Sequence, residues 1–575
     1  MDAHGEGSPS LLNNGATSVP FRCLLLAPLG AGGMSESSYD AEFRVTPYPI
    51  SAQSFEKVLA SVAPVLNVSV DSEFLCIDIG GLNGTFQAGY SIESLNDFLP
   101  CNFVDRFPFF RALADLLNDL SSALQHKNVT FPLRHCLYGD FDFRIAVSAL
   151  ESRADIELLV VDLQNEMNES LNAIVHDAQW QRIEAAWRGI DWLCSQTSGF
   201  SNCLVEIADY SKQTLYDDLT GNADVTESGL YQALYSESYG QYGGIPFAAV
   251  LVDDYFSASG TDIAMLKSLT EIAKASQFAL ITAAAPKLLG VSHLNDLASM
   301  GSIEDTQRGP RFAKWRSFVE SAEASYALMT APRVRFRPAY GKGSDRIDAG
   351  LSAPWFHEHI GQDSEECLWG NSAYLFLANT VRSFVKHGLC TAISEDNGGI
   401  VDASNSTDTL PLEYVFSEAK EAELIASGLN PLSYRPLDNE LVFRTANSLR
   451  WASIASGRQR ETLDSIASAR LEYLLIVLRI IHCLRILFRE SIGTTESPQA
   501  LGLILSKWLN RFVLDMESPS DEMRNERPLK SARVDVNQPS TTERAAVRIS
   551  LVPHLQYLGQ DVSMEADVGL QLGNA

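Results

Sequence analysis

The stretch from Phe247 to Ala283 constrains the fold more than any other part of the chain. Phe247-Ala248-Ala249-Val250-Leu251-Val252 is an uninterrupted apolar run, the pattern of a strand covered on both faces. Ile263 to Ala275 then places Leu266, Leu269 and Ile272 on one helical face, and Phe278-Ala279-Leu280-Ile281-Thr282-Ala283 is a second buried strand. Strand, helix, strand in this order predicts a βαβ unit, hence a parallel sheet and an α/β fold.

The flanking sequence extends this pattern. Arg22-Cys23-Leu24-Leu25-Leu26-Ala27 predicts a buried strand that runs into the Gly-rich loop Pro28 to Gly33. Phe55, Val58, Leu59 and Val62 keep helical spacing, and Glu73 to Ile79 returns to strand character. Phe110, Leu113, Leu117, Leu120 and Leu124 form one apolar stripe on a helix of about five turns. Ile156, Leu159, Val160, Leu163, Met167, Leu171, Ile174 and Val175 predict long helices between Asp155 and Trp192, followed by a strand at Cys203 to Ile207. Ser417 to Ala426 and Leu471 to Phe488 read as helices, Ser518 to Glu526 as a polar linker, and Val547 to Val568 as strands. The expected division is a disordered tail at 1–20, a first unit at 21–126, a junction at 127–153, and two further parts at 154–340 and 341–575.

Charge narrows the function. The 575 residues include 44 Lys plus Arg against 72 Asp plus Glu, a net charge of −28, so a phosphate-binding surface for nucleic acid is not expected. Nine cysteines without a Cys-x-x-Cys pair indicate neither a disulfide framework nor a zinc ribbon, which fits a reducing cytoplasm. Residues 1–20 lack the basic start and apolar stretch of a signal peptide. The most apolar window, Tyr473 to Phe488, is interrupted by Arg479, His482 and Arg485 and falls short of the roughly 20 residues needed to span a bilayer, so a buried helix is expected and no membrane insertion.

Candidate chemistry is sparse. Gly80-Gly81-Leu82-Asn83-Gly84 follows a strand and could cradle a phosphate if a helix came next, but the following residues look like another strand, which favours a turn. No Walker loop or Gly-x-Ser-x-Gly elbow occurs. His357-Glu358-His359 with Cys367 is the best metal-like cluster, set against a polar surface turn, the favoured reading. Asp253-Asp254 could hold Mg²⁺ or act as acid and base, against the favoured reading of caps or loop carboxylates. Arg333, Arg335 and Arg337 would share one face of a strand that could bind a phosphate or, the favoured reading in a chain this acidic, form ion pairs within or between proteins, with acidic surfaces of another subunit as candidate partners. Arg479 and Arg485 need carboxylate or carbonyl partners inside an apolar helix. No cofactor, metal or catalytic residue follows from these patterns.

Ile183-Glu184-Ala185-Ala186-Trp187-Arg188-Gly189-Ile190-Asp191-Trp192-Leu193 resembles the opening signature of the large subunit of the type VI secretion contractile sheath, the TssC or VipB family. The resemblance continues in order through Tyr242 to Phe247, Ala283-Ala284-Ala285-Pro286, Trp315-Arg316-Ser317-Phe318 and Ala331-Pro332-Arg333. It then runs through Leu368-Trp369-Gly370-Asn371-Ser372-Ala373-Tyr374, Gly398 to Val401, Arg479, His482, Arg489, Arg527 to Ala532 and Pro553-His554-Leu555-Gln556. Ser94 to Pro100 and the Phe110 to Leu124 helix are similar to the small sheath subunit, TssB or VipA, which reads as a fusion of both subunits in one chain.

The resemblance implies mixed sheets flanked by helices and strands shared between protomers. It also implies hexameric rings polymerised around an inner tube of Hcp type, with baseplate and cap proteins and an AAA+ recycling unfoldase, ClpV, as further partners. Such a sheath contracts to propel the tube for effector delivery and is not an enzyme. Lys127 to Arg153 is shorter than the family's small-subunit tail plus large-subunit leader, the part that carries inter-protomer strand pairing and the ClpV-recognised helix, and His357-Glu358-His359 replaces a more acidic and aromatic stretch. The alternative from a different class is a cytoplasmic α/β enzyme using Asp253 and Asp254 or His357 and His359.

Overall fold

The apolar run at Arg22 to Ala27 becomes the strand around which the molecule is organised. The structure, a computed structural model, describes residues 19–30, 45–71, 77–80, 85–125, 135–145, 152–241, 243–341, 346–347, 356–361, 366–395, 398–401, 412–435, 440–457, 463–491, 498–516, 519–536, 547–554, 556–557, 560–561 and 564–568. The expected disordered tail therefore lies outside the described residues except for Val19 and Pro20.

A nine-stranded sheet lies at the centre. In chain order its strands are β1 (Phe21–Ala27), β2 (Tyr48–Ile50), β3 (Cys203–Asp209), β4 (Ala249–Phe256), β5 (Ala279–Ala284), β6 (Ala327–Ala331), β7 (Ile400–Val401), β8 (Leu429–Arg435) and β9 (Glu440–Phe443). Across the sheet they run β7-β9-β8-β6-β5-β4-β1-β3-β2. Every neighbouring pair from β8 to β3 is parallel, while β2, β9 and β7 join antiparallel. The mixed α/β fold is thus as expected, with β4 and β5 as the parallel pair of the βαβ unit.

Side-chain alternation along these strands separates two cores. Phe21, Cys23, Leu25 and Ala27 of β1, with Leu251 and Ile281, enter one apolar cluster; Leu24 and Leu26, with Val250, Val252 and Leu280, enter another on the opposite face. The first face is covered by α1 (Arg153–Val175), α2 (Ala178–Gln196) and α4 (Ala373–His387), the second by α3 (Gly260–Ser276). Local chemistry starts these helices where they begin. Ser152 accepts from Asp155 N and Asp155 from Ser152 N in a capping box, Asp177 accepts from Gln179 N and Trp180 N at 2.9 Å, and Ser259 caps α3.

The expected junction at 127–153 does not separate two cores. Phe55, Leu59, Phe110, Leu113, Leu117 and Leu120 lie in the same cluster as Ile156, Trp187 and Tyr374, and β1 is seated between β3 and β4, strands more than 175 residues further along. The boundary at 340 likewise falls inside the sheet, because β7, β8 and β9 follow it. A third cluster forms around α5 (Leu471–Ser491), α6 (Pro498–Leu509) and the antiparallel strands Leu529–Val536 and Val547–Pro553. No helix of the described residues is long and apolar enough to cross a membrane.

One local expectation changes and another holds. Within the stretch read as a polar linker, Ser520 caps a helix at Asp521–Glu526. Residues 81–84 of the Gly-rich loop lie outside the described residues; Ile77–Gly80 before it and Thr85–Ser91 after it pair in different sheets, and a strand rather than a helix follows.

Candidate functional site

The densest polar constellation is buried, at the junction of α2 with the chain after β6. Glu184, on the face of α2 that also carries Trp187 and Ile190, has no exposure, and neither has Glu358. Arg337, 4% exposed, joins them: Nε donates to Glu184 Oε1 at 2.8 Å, Nη1 to Glu358 Oε2 at 2.7 Å and Nη2 to Glu358 Oε1 at 3.2 Å. Arg188, one turn after Glu184, donates to the same Glu184 oxygen at 2.8 Å, and the Arg337 guanidinium lies 4.0 Å above the Tyr340 ring. Glu358 also accepts from Tyr340 N at 2.7 Å, and His176 Nε2 lies 3.4 Å from its Oε1. Burial by itself would raise the Glu358 carboxyl, but Arg337 and these donors hold it down at about 2.

This arrangement corrects three sequence expectations. Arg333, Arg335 and Arg337 do not form a stripe, because the strand there covers only Val334–Arg335. Arg337 is sealed within the chain and is not available to pair with another subunit. Arg333 makes a bidentate pair with Glu413 of the same chain at 2.8 and 2.7 Å, and Arg335 lies beside Cys367. His357-Glu358-His359 is not a polar surface turn. Its backbone docks onto α1 through Asn168 and Asn172, which bond His357 N, His357 O and His359 N at 2.8 to 2.9 Å, and this aims Glu358 inward. Among the described residues no group of three His, Cys, Asp or Glu side chains is placed to hold a metal.

Asp253 and Asp254 lie inside β4 rather than in a cap or loop. Asp254 is taken up by Arg182 at 3.2 Å and Lys212 at 3.3 Å. Half-buried Asp253 accepts from the Tyr374 hydroxyl of α4 at 3.0 Å; burial is the main cause that lifts its carboxyl from 3.8 to about 6, with the Asp254 charge adding to it and the Tyr374 and Asn371 bonds opposing it. The folded state therefore holds this proton more tightly than the unfolded chain. The associated stability is fully present below pH 4 and is lost as pH rises through 6, a cost of up to about 3 kcal/mol at pH 7. Asp253→Asn is expected to raise stability by about 1–3 kcal/mol at pH 7 and by little at pH 4, read by urea unfolding at both pH values.

The signature residues are joints rather than a reactive cleft. Trp187 Nε1 donates to Leu29 O at 3.2 Å and its ring meets Phe55 edge-on at 5.9 Å, tying α2 to the first segment. Gly189 lets the Tyr374 ring approach, since a Cβ there would sit 2.8 Å from it. Trp369-Gly370 pairs with Val334-Arg335, and a Cβ on Gly370 would lie 1.8 Å from the Phe336 ring. Asn371 bonds Asp254 O and Ala373 N, Trp315 fills the second cluster, and Arg479 donates to Val19 O and Pro20 O. His482, against the Tyr239 ring, is pushed down to about 3 by burial and by Arg479. Arg485, whose partner was expected to be a carboxylate or carbonyl, lies 3.8 Å above the same Tyr239 ring. Pro553 ends its strand and His554 N donates to Pro528 O at 2.9 Å. Pro286 and Arg333 border a cavity of about 290 Å³ at the carboxyl ends of β4, β5 and β6.

Sequence reasoning missed Glu184, Glu358 and Glu413 as partners. For Glu184 the signal was present: a carboxylate four residues before Arg188, between Ile183 and Ala185-Ala186-Trp187 on an apolar face, requires a buried cation.

Comparison with known proteins gives two family matches in tandem. Residues 157–450 match VipB, the EvpB/VC_A0108 tail sheath N-terminal domain, and residues 460–569 match VipB_2, the EvpB/VC_A0108 tail sheath gpW/gp25-like domain. The type VI secretion system sheath protein TssC1 of Pseudomonas aeruginosa is 28% identical over 424 residues, which cover 71% of this chain and 84% of that protein.

Proposed function

The chain belongs to the EvpB/VC_A0108 tail sheath family, and on that premise we propose that it is the protomer of a type VI secretion-like contractile sheath. It is a structural sheath protein. The observation that carries the reading is the tandem match of both sheath domains over residues 157–450 and 460–569. The arrangement of its polar groups agrees: Arg337, Glu184, Glu358, Asp254 and Arg333 are consumed in holding elements of one chain together, as a rigid mechanical part requires.

In this reading copies of the chain polymerise as hexameric rings in the bacterial cytoplasm around an Hcp-like inner tube, between baseplate and cap proteins, with a ClpV-type unfoldase as a candidate recycling partner. Contraction is then a rigid-body rotation and sliding of protomers, and no nucleotide is consumed in firing. Of the three arginines, Arg335 remains a candidate for an inter-subunit contact, since Arg333 and Arg337 are paired within the chain.

We propose further that residues 21–126 fill in cis the place of the small sheath subunit. Two observations support this: the family matches begin at residue 157, and the segment before them supplies a central strand to the sheet of the matched region. The domain limits 154–340 and 341–575 are proposed as successive parts of the large-subunit region, with the division of cores nearer 460, where the second family match begins.

Negative-stain electron microscopy of the gently purified chain tests the function. Hollow cylinders with a helical repeat are expected. A uniform small particle under varied salt, with and without tube protein, would overturn the reading.

A further inference from the structure

Two outward helix faces lie outside the joints described above. On α1, Ile156, Leu159, Leu163 and Met167 enter the core, while Leu158 is 62% and Val161 50% exposed. Leu158, Val161, Asp162, Asn165 and Glu169 recur at i, i+3, i+4, i+7 and i+11, one stripe that is apolar at Leu158 and Val161 and polar thereafter, with Asp162 and Glu169 as its acids. Glu166 borders it, and the charges acting on its carboxyl beside burial are Glu169 and Asp162, which push it up. The stripe repels itself and is suited to a cation.

On α6 the inward face carries Leu505, Trp508 and Leu509. Its outward face presents Leu503, 72% exposed, and one turn later the exposed Lys507. On α1 the apolar pair Leu158 and Val161 is followed by Asp162 and, about one turn further, by Glu166; on α6 Leu503 is followed one turn later, about 6 Å along the axis, by Lys507. Laid side by side in the same direction, Leu503 would meet Leu158 and Val161 while Lys507 meets the acids.

We propose that α1 of one copy packs against α6 of a second copy, Leu503 against Leu158 and Val161 and Lys507 beside Glu166 and Glu169. The inference rests on the sheath reading, which puts many copies side by side, and names one contact between them. A single helix pair buries too little surface to hold two proteins together, but a contact repeated at every subunit of a polymer adds up through effective concentration.

Charge reversal in the full chain tests it. Lys507→Glu and the double variant Glu166→Lys/Glu169→Lys are each expected to raise the protein concentration needed for assembly, read by sedimentation and electron microscopy, by at least about tenfold, equivalent to about 1.4 kcal/mol per contact. Leu503→Asp is expected to do the same. All three alter exposed or half-exposed side chains, so the circular dichroism of the unassembled chain should be unchanged. Combining Lys507→Glu with Glu166→Lys/Glu169→Lys should restore assembly to within about threefold of wild type, since opposite charges again face each other. Unchanged assembly in the single reversals would overturn the contact. So would loss without restoration, which would assign the two faces to different partners such as the inner tube. A wild-type chain that forms no polymer would instead overturn the sheath reading itself.

Discussion

Removing residues 1–126 is expected to leave a chain, residues 127–575, that does not fold. β1 pairs along seven residues with β3 and along four with β4, so its loss opens a gap in the middle of a parallel sheet and exposes two new edges. It also removes Phe21, Leu24, Leu25 and Leu26 from two cores at once, and each fully buried large apolar side chain contributes about 1.5–3 kcal/mol. The sum, of order 10 kcal/mol with Phe55 and the Phe110 to Leu120 face still uncounted, matches the whole stability of a typical domain. Expressed alone, 127–575 should be found in the insoluble fraction. Co-expressed with a separate 1–126 chain it should return to the soluble fraction as a complex that copurifies, because the contacts between the two pieces do not depend on the covalent link. A soluble 127–575 with the secondary-structure content of the full chain would show that β1 is dispensable and would remove the support for a built-in small-subunit part.

Arg337→Met carries the second large effect. The substitution keeps the volume of the stem and deletes the cation that bridges Glu184 and Glu358, leaving two buried carboxylates, one helped by Arg188 and the other by His176. Breaking a buried pair in this way costs about 3–5 kcal/mol. Urea unfolding at pH 7 should show that loss, and the variant should recover most of it when Glu358 is also replaced by Gln, since the remaining group is then neutral and can still accept from Tyr340 N. The pH profile gives an independent reading. The folded-state carboxyl of Glu358 is depressed to about 2, so its contribution is present above pH 4.5 and is lost as pH falls toward 2. In Arg337→Met this acid-sensitive part of the stability should shrink. A variant as stable as wild type, with the same acid limb, would show that the network does not secure α2 to the chain after β6.

Much of the architecture is legible in the amino-acid sequence. Periodicity alone locates β1, β4, β5, α3 and the Pro108–Gln125 helix, because an apolar run or an apolar stripe is a local pattern with a local meaning. The collinear Trp187, Trp315, Trp369 and Pro553 motifs point to the sheath family that the domain matches show. The site is less legible. The triplet of alternating arginines reads as an exposed stripe, but alternation says which residues share a face only if a strand persists, and here it ends after Arg335.

Composition and spacing dictate which segments bury themselves and in what order they come. Only folding selects which segments meet. That β1 leaves the first segment to sit between β3 and β4, that Glu184 and Glu358 converge on Arg337 from positions 153 and 21 residues away, and that Asn168 and Asn172 dock the His357 segment are all choices of partner. The physical reason is that burial is non-directional and shows in composition and spacing, whereas a buried charge needs one specific counter-charge at hydrogen-bonding distance, and only the folded chain brings the two together.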